Sequence, residues 1–407
     1  MFTKRKIGGI MKEKLNEEKL KAENQKKENL NKEIRKEHSL QERILNEILV
    51  KFKIEGIFCK VSRYGHGHIN DTFLVITQTG SSQNKYILQR INHSIFKEPL
   101  RLMKNISLVT SFLKKEIEKT GGDERREVVT IIETLNQEIV YQDKEGSYWR
   151  MYLFIDDADC FEQVQNINAF YQSAVAFGRF QKMLQDFDAS QLYEVIPNFH
   201  HTPLRFEKFQ KVVSEDLLHR AEKIQPEIEF FMKRENDMKL CRQAMVEKKL
   251  PLRVTHNDTK LNNVMMDKKT GKGLCVIDLD TVMPGLSIFD FGDSIRFGAN
   301  TAVEDETDLS KVSLDLNLFE QYAKGFLEGC DGSLTEEEVR MLPQGAKTMT
   351  LECGMRFLTD YLEGDIYFKI AREEHNLDRC RTQIELVRDM ERKWGQMEQI
   401  ITQLPGK

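Results

Sequence analysis

His256-Asn257-Asp258-Thr259-Lys260-Leu261-Asn262-Asn263 is the stretch on which the reading of this chain turns. An aspartate two residues after a histidine, and an asparagine five residues after that aspartate, place a carboxylate, an amide oxygen and an imidazole in one short segment. Such a carboxylate can take a proton from a hydroxyl. An amide oxygen can share a hard cation with a second carboxylate. Isolated His-x-Asp patterns are common, so the flanking sequence has to decide.

Directly downstream, Val264-Met265-Met266 reads as a strand and Asp267-Lys268-Lys269-Thr270-Gly271-Lys272-Gly273 as a turn. Leu274-Cys275-Val276-Ile277 reads as the return strand, delivering Asp278 at its end, with Asp280 two residues on and expected on the same face. Phosphoryl transfer needs a base, magnesium ligands, donors for the phosphates and a dry site. In protein kinases one loop, His-Arg-Asp-x-x-x-x-Asn, supplies base and metal ligand, and His256, Asp258 and Asn263 stand at the same offsets. The expectation is Asp258 as general base, with Asn263 and Asp278 holding Mg2+. Asp290-Phe291-Gly292 spells the kinase metal triplet but lies beyond Pro284-Gly285, outside the hairpin. Asp290, Asp293 and Arg296 are therefore expected to support the site from behind or to face the acceptor.

Upstream the sequence is β-rich, with short aromatic and branched runs at 58–64, 73–77, 86–91, 139–141 and 148–155, interrupted by a helical stretch over 100–118. Tyr64-Gly65-His66-Gly67-His68-Ile69-Asn70-Asp71-Thr72 lies between two of these runs. Gly65 and Gly67 could let backbone N–H groups approach a polyphosphate, or could simply form a hairpin turn. Asn70 stands where a third glycine would and is taken as an acceptor-side candidate. Arg90 is the candidate cation for the phosphates, the alternative being an arginine lying over the sheet surface. The backbone of Tyr152, Phe154 and Ile155 would hydrogen-bond a nucleotide base. After Asn166 the pattern is mainly helical, at 168–185, 206–248, 315–328 and 335–402.

Length and composition fit this plan. The chain has 407 residues, 40 % hydrophobic and 31 % charged, with a formal net charge of −4. That length suggests two domains, and the near-neutral charge argues against nucleic acid or a membrane surface as partner. Seven dispersed cysteines with no CxxC pair read as free thiols in a reducing compartment. No stretch approaches the ~20 apolar residues of a membrane span, nor is there a signal-peptide core, so the expected location is cytoplasmic. The division expected is a charged tail over 1–38, frayed or disordered, a nucleotide-binding lobe over 39–155 and a catalytic, acceptor-binding lobe over 156–407. Ser39-Leu40-Gln41-Glu42 reads as the capping box that opens the first lobe.

The segments Tyr64–Thr72, Tyr86–Asn92, Thr255–Asn263, Val276–Thr281 and Asp290–Arg296 together resemble the aminoglycoside phosphotransferase and choline kinase superfamily, and within it the N-acetylhexosamine 1-kinase group. The likeness runs from about residue 55 to 370. It implies an α+β, two-lobed protein-kinase-like fold with a β-rich N-lobe and a mainly helical C-lobe, using ATP and Mg2+. It further implies phosphorylation of the anomeric hydroxyl of an N-acetylhexosamine, with Lys260 near the transferred phosphate. Arg356 and Asp360, at i and i+4 of a predicted helix, and Tyr367 would suit a polyhydroxylated sugar, although an ordinary helical salt bridge explains the pair equally well. Two other readings compete: a choline or homoserine type of small-alcohol kinase, and an inactive kinase-like binding protein. Only Trp149 and Trp394 are available for an aromatic box around a quaternary ammonium, and neither is near the motifs.

Overall fold

Alternating apolar residues and tight turns between Ile57 and Leu153 build an antiparallel sheet in the computed structural model, which describes residues 43–65, 69–164 and 166–404. Its strands are β1 (Ile57–Arg63), β2 (Asp71–Thr79), β3 (Ser82–Ile91), β4 (Tyr141–Gln142) and β5 (Tyr148–Leu153). They lie side by side in the order β1-β2-β3-β5-β4. Thr79 pairs with Ser82, so Gly80 and Ser81 form a two-residue hairpin loop, and Gly80 takes the φ of +61° that such a loop requires. One sheet face carries Phe73, Val75, Tyr86, Leu88, Trp149 and Met151, covered by Ile44, Ile48, Leu49 and Phe52. The expected capping box, Ser39 to Glu42, and the whole of the 1–38 tail lie outside the described residues.

The chain divides into two compact units. The sheet unit comprises the chain up to Asn92 together with Ile131–Phe154; the second unit comprises His93–Thr130 and Ile155–Lys407. Helix α1 (Pro99–Lys119) thus lies between strands in sequence but belongs to the second unit. Its buried Asn105 explains this: the amide donates to the carbonyls of Tyr193 and Val282 at 2.8 and 3.0 Å and accepts from the Tyr193 N–H at 2.9 Å.

The second unit is mainly helical. Its principal helices after α1 are α2 (Ile167–Met183), α3 (Thr202–Glu215), α4 (Glu235–Val246), α5 (Ser287–Gly298), α6 (Leu316–Cys330), α7 (Leu342–Glu363) and α8 (His375–Arg392). An apolar core of Phe206, Phe209, Phe231, Leu351, Met355, Leu358, Leu377 and Ile384 joins α3, α7 and α8. The single helix expected over 206–248 is broken into helices over Thr202–Glu215, Gln225–Met232 and Glu235–Val246. Asp216 adopts a left-handed conformation, and its carboxylate accepts from the Arg220 and Ala221 N–H groups. Pro226, having no N–H, opens a new helix instead of extending an old one.

Small strands frame the loop quoted at the outset. β6 (Ala158–Asp159), β8 (Val264–Asp267) and β9 (Gly273–Val276) form one sheet, and β7 (Arg253–Thr255) pairs with β10 (Met283–Gly285). The β8–β9 hairpin expected from the sequence is present, its turn closed by Asp267, whose carboxylate accepts from the Lys269 and Thr270 N–H groups. Cys241, Cys275, Cys330 and Cys380 are buried, Cys59 and Cys160 are exposed, and all seven cysteines are free. Among the described residues no helix is long and apolar enough to cross a membrane.

Candidate active site

The loop between β7 and β8 is fixed from several sides. His256 Nε2 lies 2.8 Å from the Ile277 carbonyl, and its Nδ1 accepts from the Asp258 N–H at 3.3 Å. That pairing places the proton on Nε2. Asn257 holds a φ of +64°, with its side chain locked between Thr255 and the Thr281 carbonyl. This left-handed residue turns the chain immediately before Asp258.

Asp258 is half-buried. Lys260 Nζ lies 2.8 Å from its Oδ1, and the Asn263 amide donates to its Oδ2 at 3.2 Å and to its carbonyl at 2.8 Å. Burial alone would push the Asp258 carboxyl up, but the Lys260 ammonium and the Asn263 amide outweigh it and hold the group below the usual carboxylate range. Lys260 is raised in turn, first by Asp258 and also by Asp293. The pair therefore stays ionised at neutral pH. Because the Asn263 N–H2 group faces Asp258, its amide oxygen points elsewhere. The Asn263 carbonyl accepts from the Ile277 N–H at 2.9 Å, which sets Asn263 beside Asp278 across the hairpin. Asp278 is itself left-handed, with a φ of +57°.

A magnesium ion takes oxygen ligands, keeps several of its waters and is commonly bound through one or two protein groups plus substrate phosphates. One amide oxygen and one carboxylate on adjacent strand ends fit that requirement. Among the described residues there is no cluster of three or more His, Cys, Asp or Glu side chains suited to a metal held by protein alone. Asp280 departs from expectation. After Asp278 the chain enters a 3₁₀ turn over Leu279–Thr281, so strand alternation no longer applies and Asp280 is buried.

The Asp-Phe-Gly triplet lies inside helix α5, where each of its residues has a structural task. Asp290 is buried and accepts from the backbone N–H groups of His256 and Asn257 at 2.9 and 2.8 Å and from Gln181 at 2.8 Å. Burial pushes its carboxyl up, against the pull of these donors. Phe291 packs against Phe319, Tyr322 and Phe326. Gly292 permits contact with α7, since a Cβ there would sit 2.4 Å from the Gly345 carbonyl oxygen. Further along, Ser294 donates to the Thr259 carbonyl at 2.5 Å, completing the stitching of the loop onto α5. Asp293 and Arg296 form a buried pair at 2.9 Å, and Arg296 also binds Glu304 at 2.9 Å. Asp293 acts on Lys260 by its charge, whereas the Arg296 guanidinium is already engaged.

On α7, Arg356 and Asp360 do not form a salt bridge with each other. Asp360 is buried, and its carboxylate accepts from the N–H groups of Ile366, Tyr367 and Phe368 and from the Asn376 amide, at 2.8–3.1 Å. It holds the 365–374 loop in place and has no free edge for an acceptor, which corrects the expectation of direct contact. Arg356 has no ion pair among the described residues. Its guanidinium lies 5.6, 5.9 and 5.5 Å from the ring centres of Phe199, Tyr367 and Phe368. Next to Phe199, His200 bonds Glu352 at 2.8 Å and reaches the Asn257 carbonyl at 3.4 Å. Burial would raise Glu352, but His200, Arg205 and Arg356 hold it down to about 2. Phe199 and His200, which sequence reasoning missed, thus connect the Arg356 surroundings to the Asp258 loop. Their sequence signal, an aromatic followed by histidines before a predicted helix, is too common to single them out.

In the sheet unit the expected nucleotide contacts separate. Arg90 shares the face of Leu88 and Trp149, lying 5.9 Å from the Trp149 ring, and its Nε donates to Asp71 at 2.9 Å. Tyr152 lies on the opposite face, together with Gln89 and Arg150, which are joined by a 2.9 Å hydrogen bond. Strand alternation puts Lys85 and the buried Arg150 on Tyr152's side, a parity argument available from the sequence once the strands were paired. Asn70 accepts from the Asn92 N–H at 3.0 Å, tying the loop end to the end of β3. Gly65 has a φ of +73° with open space where a Cβ would stand, and Gly67 lies outside the described residues. The Phe154 N–H donates to Lys85, and Ile155 begins the second unit's segment.

Residues 60–310 match the model of the Phosphotransferase enzyme family (APH). The chain belongs to that family. Solved members of the wider group share its fold. A microcompartment-associated aminopropanol kinase superposes with a TM-score of 0.56 at 14 % identity, covering 89 % of this chain and 99 % of its own. An aminoglycoside phosphotransferase from Alicyclobacillus acidocaldarius gives a TM-score of 0.55 at 10 % identity, covering 84 % and 93 %. A spectinomycin phosphotransferase, solved with ADP and spectinomycin, gives 0.51 at 14 % identity, covering 87 % and 98 %. For this phosphotransferase the mixed α+β architecture, an antiparallel sheet unit and a helical unit, agrees with the sequence expectation.

Proposed function

We propose that this phosphotransferase transfers the γ-phosphoryl group of ATP to the anomeric hydroxyl of an N-acetylhexosamine, giving the sugar 1-phosphate. The observation that carries the acceptor reading is Arg356: an arginine bordered by three aromatic rings, in no ion pair among the described residues, and linked through Phe199 and His200 to the Asp258 loop. A guanidinium donor beside aromatic faces suits a neutral polyhydroxylated ring. With Arg205 nearby, it would repel the cationic head of a choline or amino alcohol.

In this reading Asp258 accepts the hydroxyl proton, and its depressed pKa keeps it ready to do so at neutral pH. Lys260, released from Asp258 as the proton arrives, can follow the charge on the transferred phosphoryl group. Asn263 and Asp278 would hold magnesium, which when bound neutralises polyphosphate charge. Arg150, Gly65, Gly67 and the backbone of Tyr152 and Phe154 are assigned to ATP. Tyr367 would border the sugar, while Asn70, Asp293, Arg296 and Asp360 position the segments that do.

ATP consumption across N-acetylglucosamine, N-acetylgalactosamine, choline and homoserine tests the acceptor, with phosphorus NMR of the product to identify an anomeric ester. Turnover only with choline or homoserine would sink the sugar reading. Silence on the whole panel would favour an inactive binding protein.

A further inference from the structure

A cavity of about 620 Å³ lies wholly within the second unit and borders the active-site loop at Asn257 without including Asp258. It is therefore distinct from the Arg356 surroundings, although Phe199 and His200 contribute to both. One part of its wall is soft and apolar, formed by Met238 and Met245 on α4, Leu250, and Phe289 at the start of α5, while Asn198, His201 and Asn257 make other parts polar. Arg242 and Lys248, both exposed, also line it. Arg242 makes its hydrogen bond to the Met245 sulfur at 3.6 Å, and neither cation has a carboxylate partner among the described residues. Glu194 is the only acid in the lining.

Volume and lining together resemble a small-molecule pocket, which typically spans about 300–1,000 Å³ and pairs an apolar body with a few polar groups. Flexible thioethers accommodate varied shapes, and two unpaired cations supply charge-assisted bonds to an anion. We propose that this cavity binds a small amphipathic anion, an aromatic or short aliphatic body carrying one sulfonate, carboxylate or phosphate, and that occupancy alters turnover. The route is short. His200 lines the cavity while bonding Glu352 and approaching the Asn257 carbonyl, and Asn257 is the left-handed residue whose turn orients Asp258. A ligand pressing on His200 and Phe289 thus acts on the backbone that presents the base. The coupling half of the proposal rests on Asp258 being that base; the binding half does not.

The test uses 8-anilinonaphthalene-1-sulfonate titrated into the full chain, read by fluorescence. The expected result is one saturable site, not displaced by ATP. Binding should weaken by about tenfold, which is about 1.4 kcal/mol, in the Arg242→Glu, Lys248→Glu double variant. Met245→Trp, which narrows the cavity at its apolar wall, should also weaken binding while the cooperative unfolding transition persists. Displacement by ATP, or equal binding by the charge-reversed variant, would overturn the site. With an accepted substrate in hand, the saturating probe should change kcat and leave the KM for ATP alone. An unchanged kcat would overturn the coupling, and failure to find any acceptor would leave the binding result to stand or fall alone.

Discussion

Asp258 and Asp290 both belong to motifs associated with phosphoryl transfer, and both sit in the same unit, yet their surroundings treat them in opposite ways. Asp258 is half-exposed and faces a lysine, which holds its carboxyl down. Asp290 is sealed among backbone N–H groups and Gln181, and burial pushes its carboxyl up. One is placed to exchange a proton; the other maintains a shape. The chemistry of a carboxylate is thus read from its neighbours and not from the letters around it in sequence.

The largest effect should come from Asp258→Asn, which is expected to lower kcat by about 10²–10⁴, the usual worth of a positioned base, with thermal unfolding little changed. Near-normal turnover would remove Asp258 from that role. An anomeric hydroxyl is more acidic than an ordinary alcohol, so the lower end of the range is expected for a sugar. Asp290→Ala should reverse the pattern. It leaves two buried backbone N–H groups without an acceptor, at about 1–3 kcal/mol each, and the Gln181 amide with only the Val254 carbonyl, and should show first as a lowered unfolding midpoint in urea. A stable variant with abolished magnesium dependence would return the metal to Asp290.

Gly345→Ala probes how firmly the helix carrying Asp290 is held. A Cβ there would lie 2.2 Å from the Ile288 carbonyl oxygen, and such overpacking costs about 1–3 kcal/mol, measurable by urea denaturation. Wild-type stability in that variant would mean that α5 and α7 can part freely. Smallest is the pH signature. A carboxyl lowered by folding, as for Asp258, stabilises the native state above its unfolded value of 3.8 and loses that contribution as pH falls toward its folded value. A carboxyl raised by folding, as for Asp290, binds its proton more tightly in the native state, so its contribution declines as pH climbs from 3.8 through the raised value. Stability measured against pH should therefore lose its rising limb in part in Asp258→Asn and its declining limb in part in Asp290→Asn. Identical profiles for the two variants would erase the contrast.

Much of this was legible in the sequence because it was local. The His256-to-Asn263 spacing, the β8–β9 hairpin and Asp278 at its end are fixed within a few residues of one another. The short strands of the sheet unit were found for the same reason. What escaped needed distant partners. That Arg90 and Tyr152 stand on opposite faces of the sheet needed the pairing of β3 with β5. Asp360 looked like an acceptor contact until the 366–368 backbone was seen folded onto it. The 620 Å³ cavity gathers residues from three separate stretches, around 194–203, 238–252 and 283–289, together with Asn257, and no periodicity announces such a meeting.

The glycine contact between α5 and α7 has a consequence for how such a protein could change its diet. The loop bearing Asp258 is pinned to α5, α5 is pressed against α7 at Gly292 and Gly345, and α7 carries Arg356. In the function proposed, base and acceptor arginine therefore ride on one packed block, and a substitution on either helix risks the fold before it alters preference. The 365–374 loop, which bears Tyr367 and Phe368 and hangs from the Asp360 carboxylate, is cheaper to rewrite. New acceptor tastes in relatives of this chain should accumulate there, leaving the helices behind it nearly untouched.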